Sequence, residues 1–579
     1  MTTAFSKIFE RINIIQVAFY LIACYFTILL LTSISFLFNS YWLLQYSCVL
    51  SLLAVAVAGF FIDYKKQSKP VFTDTILNIG AFLAILLLLT LLSVLFWDNT
   101  YDGQTYHLQA IDELAHGWNP LHTESTNIFV TYYPKAFEKF GAAVFECTGE
   151  IETGKVSGLM LVTAACLLAF SYFKHLFPGK KILWFVFTLL LVINPIISTQ
   201  NFTFLIDGQL ASIFLILIFS FLLYLKQARF SLFIWLLTLA ICIDLKFTGL
   251  VYAGVFQLFA GAYLLFIRFR LSRLFQFVAF NVLLLGLSIF VISNNPYYTN
   301  IKSGKHIFYP VLGTHSVNFM AGPNSPASFQ YRNRFSKFFI ANFSRSGNVH
   351  GALVAPEPEL KIPFFLSLKE FTVFKSGSVL YGGFGPLFGG ILIVSFLLIL
   401  YILTLPVKNK REFLLLCLFL LVTIFLNPEC WLARYVPQLW YLPVLLMIFI
   451  KWSGYLSKML TSVNNFVFVL TAINGCIIFA ISMASNLIIT NQIRSEYAWM
   501  KSSGKEVALV TGVFKSTAYR LEKYQINYQR IDSADRAKYT GYYVFNPISS
   551  KSEILIPESV KPYEPGKFFS MLESYIKTK

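Results

Sequence analysis

Charged side chains are scarce in this chain. Asp, Glu, Lys and Arg make up 13% of its 579 residues, whereas hydrophobic residues make up 57%. Soluble globular domains carry about 25% charged residues, so this composition excludes a soluble enzyme and indicates a polytopic membrane protein. Cysteine is sparse as well: the eight cysteines include no Cys-x-x-Cys pair and fall mostly in apolar segments. That distribution supports neither a zinc site nor a disulfide framework, and a single bond between Cys147 and Cys430 stays open.

Acidic residues are the scarcer of the two charge types. The chain has 46 Lys and Arg against 28 Asp and Glu, which gives a formal net charge of +18. The basic residues stand in short clusters between apolar runs, as they do in the cytoplasmic loops of membrane proteins. No basic face or nucleic-acid motif is present. We therefore expect the chain to contact a lipid bilayer and no nucleic acid.

Thirteen apolar runs are long enough to cross a hydrocarbon core of roughly 30 Å. The sequence thus predicts a polytopic α-helical membrane protein with about 13 transmembrane helices. The first run has no small-residue cleavage site and is interpreted as a retained helix. The runs lie near residues 14–38, 42–62, 72–97, 156–176, 182–200, 207–225, 231–245, 248–267, 274–293, 384–405, 413–427, 435–450 and 463–490.

The short connections between these runs carry the basic clusters, which the positive-inside rule places in the cytoplasm. One topology satisfies all of them. It sends residues of about 98–155, about 294–383 and 491–579 to the external face. We therefore predict a transmembrane domain over residues 1–490, in a bacterial inner membrane, with the external loops and the C-terminus facing the periplasm.

The first external loop shows helical periodicity. Leu108, Ile111 and Leu114 recur at helical spacing, and Pro134 opens a second apolar-faced run. This pattern predicts two amphipathic helices lying at the membrane interface.

The tail, residues 491–579, is predicted to form a small extracytoplasmic α/β domain. It has β-like runs at 506–513 and 541–547 and a helical run near 516–524.

Four ionisable residues lie near the external ends of the predicted helices: Asp102, Asp207, Lys246 and Arg434. Ionisable groups at membrane depth are costly and by default mark a functional cavity. Each residue also has an ordinary structural role open to it. Asp102 precedes a glycine, as turn residues do, Asp207 suits a helix N-cap, and Lys246 and Arg434 are able to snorkel to the headgroups. The shared membrane face favours a common site.

Three motifs resemble a known family, the GT-C superfamily of membrane glycosyltransferases that use polyprenyl-phosphate sugars. They are the Asp102 segment with Tyr106-His107, the run Ile206-Asp207-Gly208-Gln209-Leu210, and Lys246-Phe247-Thr248-Gly249. The superfamily includes the protein O-mannosyltransferases and the aminoarabinose transferase that modifies lipid A. The resemblance covers roughly the first 300 residues and implies that Asp102 is the catalytic carboxylate. It implies a second catalytic position at Asp207, which would orient a cation or the acceptor, and a family lysine position at Lys246.

The resemblance implies a single displacement with inversion. Asp102 would deprotonate an acceptor hydroxyl of a glycan, lipid or protein, and cations would hold the departing lipid phosphate. Some members use a divalent cation, but the spacing of the histidines matches no familiar metal site, and no metal ligands are predicted. The candidate phosphate-binding residues are Lys246, Arg434, Arg332 and Arg334, and the second-tier candidates are Asp98, His107 and His350.

Two other functions stay open. An O-antigen-type polymerase or ligase, or an oligosaccharyltransferase, would move a glycan from a lipid pyrophosphate, and Arg332-Asn333-Arg334 suits such an enzyme. A transporter or flippase is the non-catalytic alternative, although the chain shows no internal repeat of the kind that transporters often have.

Overall fold

The computed structural model is mostly helical, and each of the thirteen apolar runs contains a helix. It describes residues 11–64, 69–268, 271–320, 324–348, 355–454, 457–510, 512, 514–548 and 550–566. The helices within the runs are Ile14–Leu37, Ser47–Tyr64, Lys69–Val94, Val156–Leu176, Lys181–Val192, Asp207–Leu225, Ser231–Leu245, Phe247–Arg268, Leu271–Leu287, Phe388–Thr404, Lys410–Leu426, Tyr441–Ser453 and Lys458–Ser502.

Seven helices in the described part of the chain are long and apolar enough to cross a membrane. Four shorter apolar helices accompany them, at Ser47–Phe61, Lys181–Val192, Ser231–Leu245 and Phe388–Thr404. The seven are Ile14–Leu37, Thr73–Val94, Ile151–Leu176, Asp207–Leu225, Phe247–Phe266, Phe275–Ile292 and Lys458–Ser502.

One predicted run is broken in two. The helix Lys181–Val192 ends before Asn194, and a short second helix, Pro195–Gln200, follows. The Asn194 side chain caps it by accepting a hydrogen bond from the Ile196 N–H at 3.0 Å, and proline suits the first helical position. This break turns the chain toward the helix that begins at Asp207.

The helix Asp207–Leu225 lies at the centre of the bundle. Its residues 207–220 are all buried, because apolar side chains occupy every face and helices surround it. The few polar groups on it are hydrogen-bonded internally, as buried polar groups must be. For example, the Tyr25 hydroxyl donates to Gln209. The first turn of this rigid helix carries Asp207.

The last long helix, Lys458–Ser502, is a spine for the loops at one end of the bundle. Its 45 residues span about 68 Å, more than a hydrocarbon core. Polar side chains along one stripe bind loop backbone and side chains: Asn474 contacts Phe384 and Leu387, and Asn486 accepts from Asn99. The boundary predicted at residues 490 and 491 lies inside this helix.

The first long loop, residues 98–155, is helical and packed. The predicted helix around Leu108, Ile111 and Leu114 is present as Leu108–Ala115, with these three side chains buried. The interfacial interpretation is wrong for the second helix, Ala136–Thr148. Its residues 136–144 are buried on every side, because its charged groups have internal partners and need no water.

The second long loop, residues 294–383, contains short helical pieces between irregular stretches. Part of it packs against the loop that follows the helix Lys410–Leu426, where Phe329 meets Trp431 edge to face with ring centroids 4.9 Å apart. The helical pieces are Asn294–Tyr298, Thr299–Lys302, Ala327–Tyr331, Arg334–Asn342, Leu368–Thr372 and Val373–Lys375.

The C-terminal unit is a small four-stranded sheet with the order β2-β1-β4-β3. Strand β1, Val507–Val510, runs parallel to β2, Tyr528–Ile531, and the helix Ser516–Lys523 makes the crossover. Strand β4, Glu553–Pro557, is antiparallel to β1 and to β3, Tyr542–Phe545. The predicted α/β tail is confirmed, and β2 and β4 are strands that the sequence pattern did not single out.

Candidate active site

The chain between the helix Lys69–Val94 and the first long loop is fixed by Asp98. This side chain is buried, and its Oδ1 accepts hydrogen bonds from the Phe204 N–H and the Thr100 hydroxyl, both at 2.9 Å. Burial, together with the negative charge of Glu152, raises the pKa of Asp98 to about 6. Asp98 therefore ties the start of the first loop to the segment that leads into the helix Asp207–Leu225.

Asp102 lies in a helical turn and not in an Asp-Gly reverse turn. Its backbone dihedral angles are φ −59° and ψ −42°, and a π-helical turn, Gly103–His107, follows. Glycine is required at 103, since a Cβ there would lie 2.1 Å from Asp98 Oδ2. The Asp102 carboxylate is partly exposed and lies 3.2 Å from Nη1 of Arg434. It thus has one cationic partner and access to solvent.

Asp207 is the first residue of its helix, but its side chain does not cap it. The residue at the N-cap position is Ile206, which makes no side-chain cap. The Gln200 side chain caps the helix instead, because its Oε1 accepts a hydrogen bond from the Gly208 N–H at 2.8 Å. The Asp207 carboxylate is therefore free to bind Lys246, whose Nζ lies 2.5 Å from Oδ1.

Lys246 is the single extended residue between the helices Ser231–Leu245 and Phe247–Arg268. The second helix starts so close to the first that a Cβ on Gly249 would lie 2.0 Å from the Cys242 carbonyl oxygen. This tight break turns Lys246 inward, where its Nζ lies 4.5 Å above the centre of the Tyr435 ring. The lysine is paired inside the protein and does not snorkel.

Arg434 lies in a short helical turn, Ala433–Tyr435, held by the packing of the loop around it. Its Nη1 donates to Asp102 and to the Ser378 hydroxyl, each at 3.2 Å. Its guanidinium carbon lies 5.1 Å from the centre of the Tyr435 ring. Arg434 therefore joins the first long loop to the end of the second.

Together these residues form one cluster, two ion pairs that share the Tyr435 ring. Four distant stretches of the chain supply the carboxylates and the cations. The pair of Lys246 and Asp207 is deeper, with the Asp207 side chain 4% exposed, whereas the Asp102 side chain is 27% exposed. Partly desolvated charges interact more strongly than charges in water, so the cluster suits the binding of an anionic group next to a proton acceptor.

Three aromatic side chains to which the sequence analysis gave no role lie beside the cluster: Tyr106, Tyr133 and Phe247. Burial and the nearby charge of Asp102 raise the pKa of Tyr106, so its hydroxyl stays protonated at neutral pH. The Tyr106 and Tyr133 rings meet edge to face with centroids 5.9 Å apart, and Tyr133 contacts Phe247 at the same centroid distance. One indication of this contact was present in the sequence, because Tyr106 follows Asp102 by about one helical turn.

Two predicted phosphate ligands lie elsewhere. Arg332 and Arg334 are exposed, and the described contacts join neither to the cluster. Arg334 Nη1 instead donates to the Phe425 carbonyl at 2.7 Å, near the C-terminus of the helix Lys410–Leu426. A cation is favourable at that end of a helix, so this arginine has a structural partner. The structure therefore does not bring Arg332 and Arg334 to the cluster.

The two second-tier candidates that the structure describes, Asp98 and His107, are not in the cluster either. His107 is buried, with Nδ1 2.6 Å from Glu138 Oε1 and its ring edge to face with Phe137. Asp98 accepts hydrogen bonds from backbone N–H groups of Phe204 and Thr100. His350 lies outside the described residues.

The site residues do not fit a divalent cation. Among the described residues no group of three or more His, Cys, Asp and Glu side chains is placed to hold a metal ion. Asp102 and Asp207 each already have a cationic side chain as partner. We therefore derive no step through a metal.

The C-terminal unit contacts the loop that carries Asp102. Arg520, on the crossover helix, donates to the Asp98 carbonyl at 2.6 Å and to Gln104 Oε1 at 3.3 Å. Ser516 donates to the same Gln104 oxygen at 2.7 Å. Nothing in the sequence signalled this contact, because its two sides are more than 400 residues apart.

Comparisons with protein-family models, with curated proteins and with solved structures give no match to this chain. The assignment of a function therefore depends on the residues of the site.

Proposed function

We propose that this protein is an inverting glycosyltransferase of GT-C type, which moves a sugar from a polyprenyl-phosphate donor to an acceptor hydroxyl. All thirteen apolar helices cross the membrane in this proposal, and the basic connections set the orientation. The ion-pair cluster then faces the outside, which in a bacterium is the periplasm. Donor lipids enter the site from the bilayer.

The observation that carries the proposal is the pairing of Asp102 with Arg434 beside the pair of Asp207 with Lys246. Four ionisable residues from separate stretches meet at one end of a bundle of apolar helices. Glycosyl transfer from a lipid phosphate needs a proton acceptor for the hydroxyl and cations for the leaving phosphate. The cluster provides both within one group of contacts.

The reaction follows from the chemistry of these side chains. Asp102 accepts the proton of the acceptor hydroxyl, and the oxygen attacks the anomeric carbon from the face opposite the phosphate. The bond between that carbon and the phosphate oxygen breaks, and its electron pair leaves with the polyprenyl phosphate. The product sugar has the inverted anomeric configuration.

Lys246 and Arg434 stabilise the negative charge that develops on the phosphate. Arg434 has N–H groups beyond those bonded to Asp102, and its planar fork matches phosphate oxygens. Lys246 offers a point charge with three donors. Asp207, deeper than Asp102, holds the Lys246 ammonium group in place through their ion pair.

The test is transfer by the purified full-length protein in phospholipid vesicles. A polyprenyl-phosphate monosaccharide with a labelled sugar serves as donor, and lipid and glycan acceptors are supplied together. We expect Asp102→Asn to lower the transfer rate by a factor of about 10² to 10⁴, while donor binding is kept. Asp112→Asn, in the next helix of the same loop, is the matched control. An Asp102→Asn protein that transfers at the parent rate overturns the proposal.

The same vesicles separate the alternatives. A polymerase, ligase or oligosaccharyltransferase would use an oligosaccharide on a lipid pyrophosphate and ignore the monophosphate donor. A flippase would move the labelled lipid between leaflets without forming a new glycosidic bond. The exposed positions of Arg332 and Arg334, outside the cluster, favour the monophosphate donor.

The orientation has its own test. A membrane-impermeant thiol reagent added to intact cells should label a cysteine placed at Lys505, next to the C-terminal sheet. It should not label a cysteine at Lys408, between two apolar helices. Both positions are exposed, so labelling from the opposite sides would contradict an outward-facing site.

A further inference from the structure

A segment of the second long loop, residues 360–368, exposes large apolar side chains to the surroundings of the protein. Ile362 is 78% exposed and Leu368 is 81% exposed. Soluble surfaces rarely show so many large apolar groups together, and such a patch marks an interaction surface. The exposed apolar residues of the segment are Leu360, Ile362, Phe365, Leu366 and Leu368.

The depth of this segment is fixed by Phe364. Its ring centroid lies 5.9 Å from that of Phe466, near the start of the helix Lys458–Ser502. It also presses on Gly390, where a Cβ would lie 2.4 Å from a ring carbon. Gly390 is the third residue of the apolar helix Phe388–Thr404. Phe364 therefore contacts apolar helices within their lengths and not beyond their ends.

The distance to the active-site end can be measured along the long helix. Asn486, on that helix, bonds Asn99 at the start of the first long loop. Twenty residues separate Phe466 from Asn486, which is about 30 Å at 1.5 Å per residue. The contact with Gly390 places the segment at the first turn of the helix Phe388–Thr404. A segment that belongs to a loop by sequence therefore reaches the depth of the membrane helices.

The charges of the segment are arranged as the interior of a bilayer requires. Lys361 is the only ionisable residue between Glu359 and Lys369. Its Nζ lies 2.5 Å from Glu370 Oε2, and the two side chains are only 6% and 4% exposed. An aqueous loop would expose its charges and bury its apolar groups. Between the exposed flanking charges of Glu359 and Lys369, this segment does the reverse, and intramembrane charges are expected to pair in this way.

The backbone of the segment is tied to the protein at its N-terminal end. The Lys361 N–H donates to the Phe343 carbonyl at 3.0 Å, and the Arg345 N–H donates to the Glu359 carbonyl at 2.8 Å. Irregular backbone is tolerated at membrane depth where the protein satisfies it in this way. The chain then returns along the long helix to Ser378, which bonds Arg434 in the cluster.

We propose that residues 360–368 form a re-entrant segment, whose exposed side chains contact the acyl chains of the bilayer. The partner is lipid hydrocarbon, because Phe364 joins the segment to Phe466, an exposed residue of the helix Lys458–Ser502, and to Gly390 of the apolar helix Phe388–Thr404. This proposal does not depend on the reaction that the site performs. It makes the second long loop part of the membrane-facing surface beside the cluster.

Site-directed spin labelling of the full-length protein tests the proposal. A single cysteine at Ile362 is labelled with a nitroxide in vesicles of phosphatidylcholine and phosphatidylglycerol, after replacement of the native cysteines. Collisions are measured with oxygen, which partitions into hydrocarbon, and with a water-soluble nickel chelate. Phe396, exposed on a membrane helix, is the hydrocarbon control, and Lys538, exposed on the C-terminal unit, is the water control.

We expect the oxygen-to-nickel collision ratio at Ile362 to match that at Phe396 and to exceed that at Lys538. Leu368→Cys should give the same result, which guards against a local disturbance by one label. Nickel collisions as frequent as at Lys538 would show an aqueous loop and overturn the proposal. Protection from both reagents would show a protein covering and overturn it as well.

Discussion

We expect substitutions at Lys246 and Asp207 to have non-additive effects on the free energy of unfolding. Their effects on transfer activity should not follow their effects on stability. Lys246→Met removes the partner of a carboxylate that is almost fully buried, at a distance of 2.5 Å. Removing one member of a buried pair costs about 3 to 5 kcal/mol. Because the Lys246 side chain is 24% exposed, water partly replaces it, and we expect a loss of about 2 kcal/mol in the free energy of unfolding.

A second substitution should restore part of this loss. In Asp207→Asn/Lys246→Met the buried group is a neutral amide, which is much cheaper to desolvate than an unpaired carboxylate. The double variant should therefore be more stable than the sum of the two single effects, by about 1 to 2 kcal/mol. Transfer activity should not return with the stability, because the cation that faces the phosphate is still missing.

The assay measures unfolding and transfer on the same four proteins. Thermal unfolding of the parent, the two single variants and the double variant in one detergent gives the coupling between the two sites. Lys505→Met, at an exposed lysine, controls for the loss of a positive charge. Additive effects on stability would show that the pair is not coupled. A double variant that regains transfer would refute the role of Lys246 in binding phosphate.

Three further outcomes are expected. Burial raises the pKa of Asp98 from 3.8 to about 6. The folded protein therefore binds the extra proton, and its free energy of unfolding falls by about 3 kcal/mol as pH rises from about 4 to above 6. Melting curves over that range should show this fall in the parent but not in Asp98→Asn. Gly103→Ala should lower transfer sharply, since its Cβ would lie 2.1 Å from Asp98 Oδ2. Gly80→Ala, with open space around its Cβ, should not, and a normal rate for Gly103→Ala would mean that the loop adapts freely. Arg520→Leu removes two hydrogen bonds to the first loop and should slow transfer. The C-terminal sheet should keep its protection from hydrogen exchange. Arg530→Leu, at an exposed arginine of the same unit, is the control and should leave the transfer rate unchanged. An equal loss in both variants would argue against a specific effect on the loop.

The helices and the position of the cluster were predictable from sequence for physical reasons. Long apolar runs form helices because each backbone group must find its partner within the segment. The basic connections place Asp102, Lys246 and Arg434 at one end of the bundle without reference to these residues. The structure brings these three together with Asp207. Roles in catalysis remain predictions for the transfer assay.

The partners of individual charges were not predictable. The sequence pattern of Ala136–Thr148 is amphipathic, yet Glu138 and Lys139 are buried, because His107 and Asp244 from other elements are their hydrogen-bond partners. In the same way Arg334 was predicted to bind phosphate, but in the structure its guanidinium donates a hydrogen bond to the Phe425 carbonyl. Both errors have one cause: sequence shows that a charge exists but not which distant group meets it.

The separation of Asp102 and Asp207 is set by a third carboxylate, Asp98. Asp98 accepts from the N–H of Phe204, three residues before Asp207, and from Thr100, two residues before Asp102. The two acids therefore move with a common anchor, and a buried, fully bonded side chain is a stiff one. Substitutions of Asp98 should thus change the reaction through geometry, and any loss of transfer in Asp98→Asn reports the spacing of the site and not a missing base.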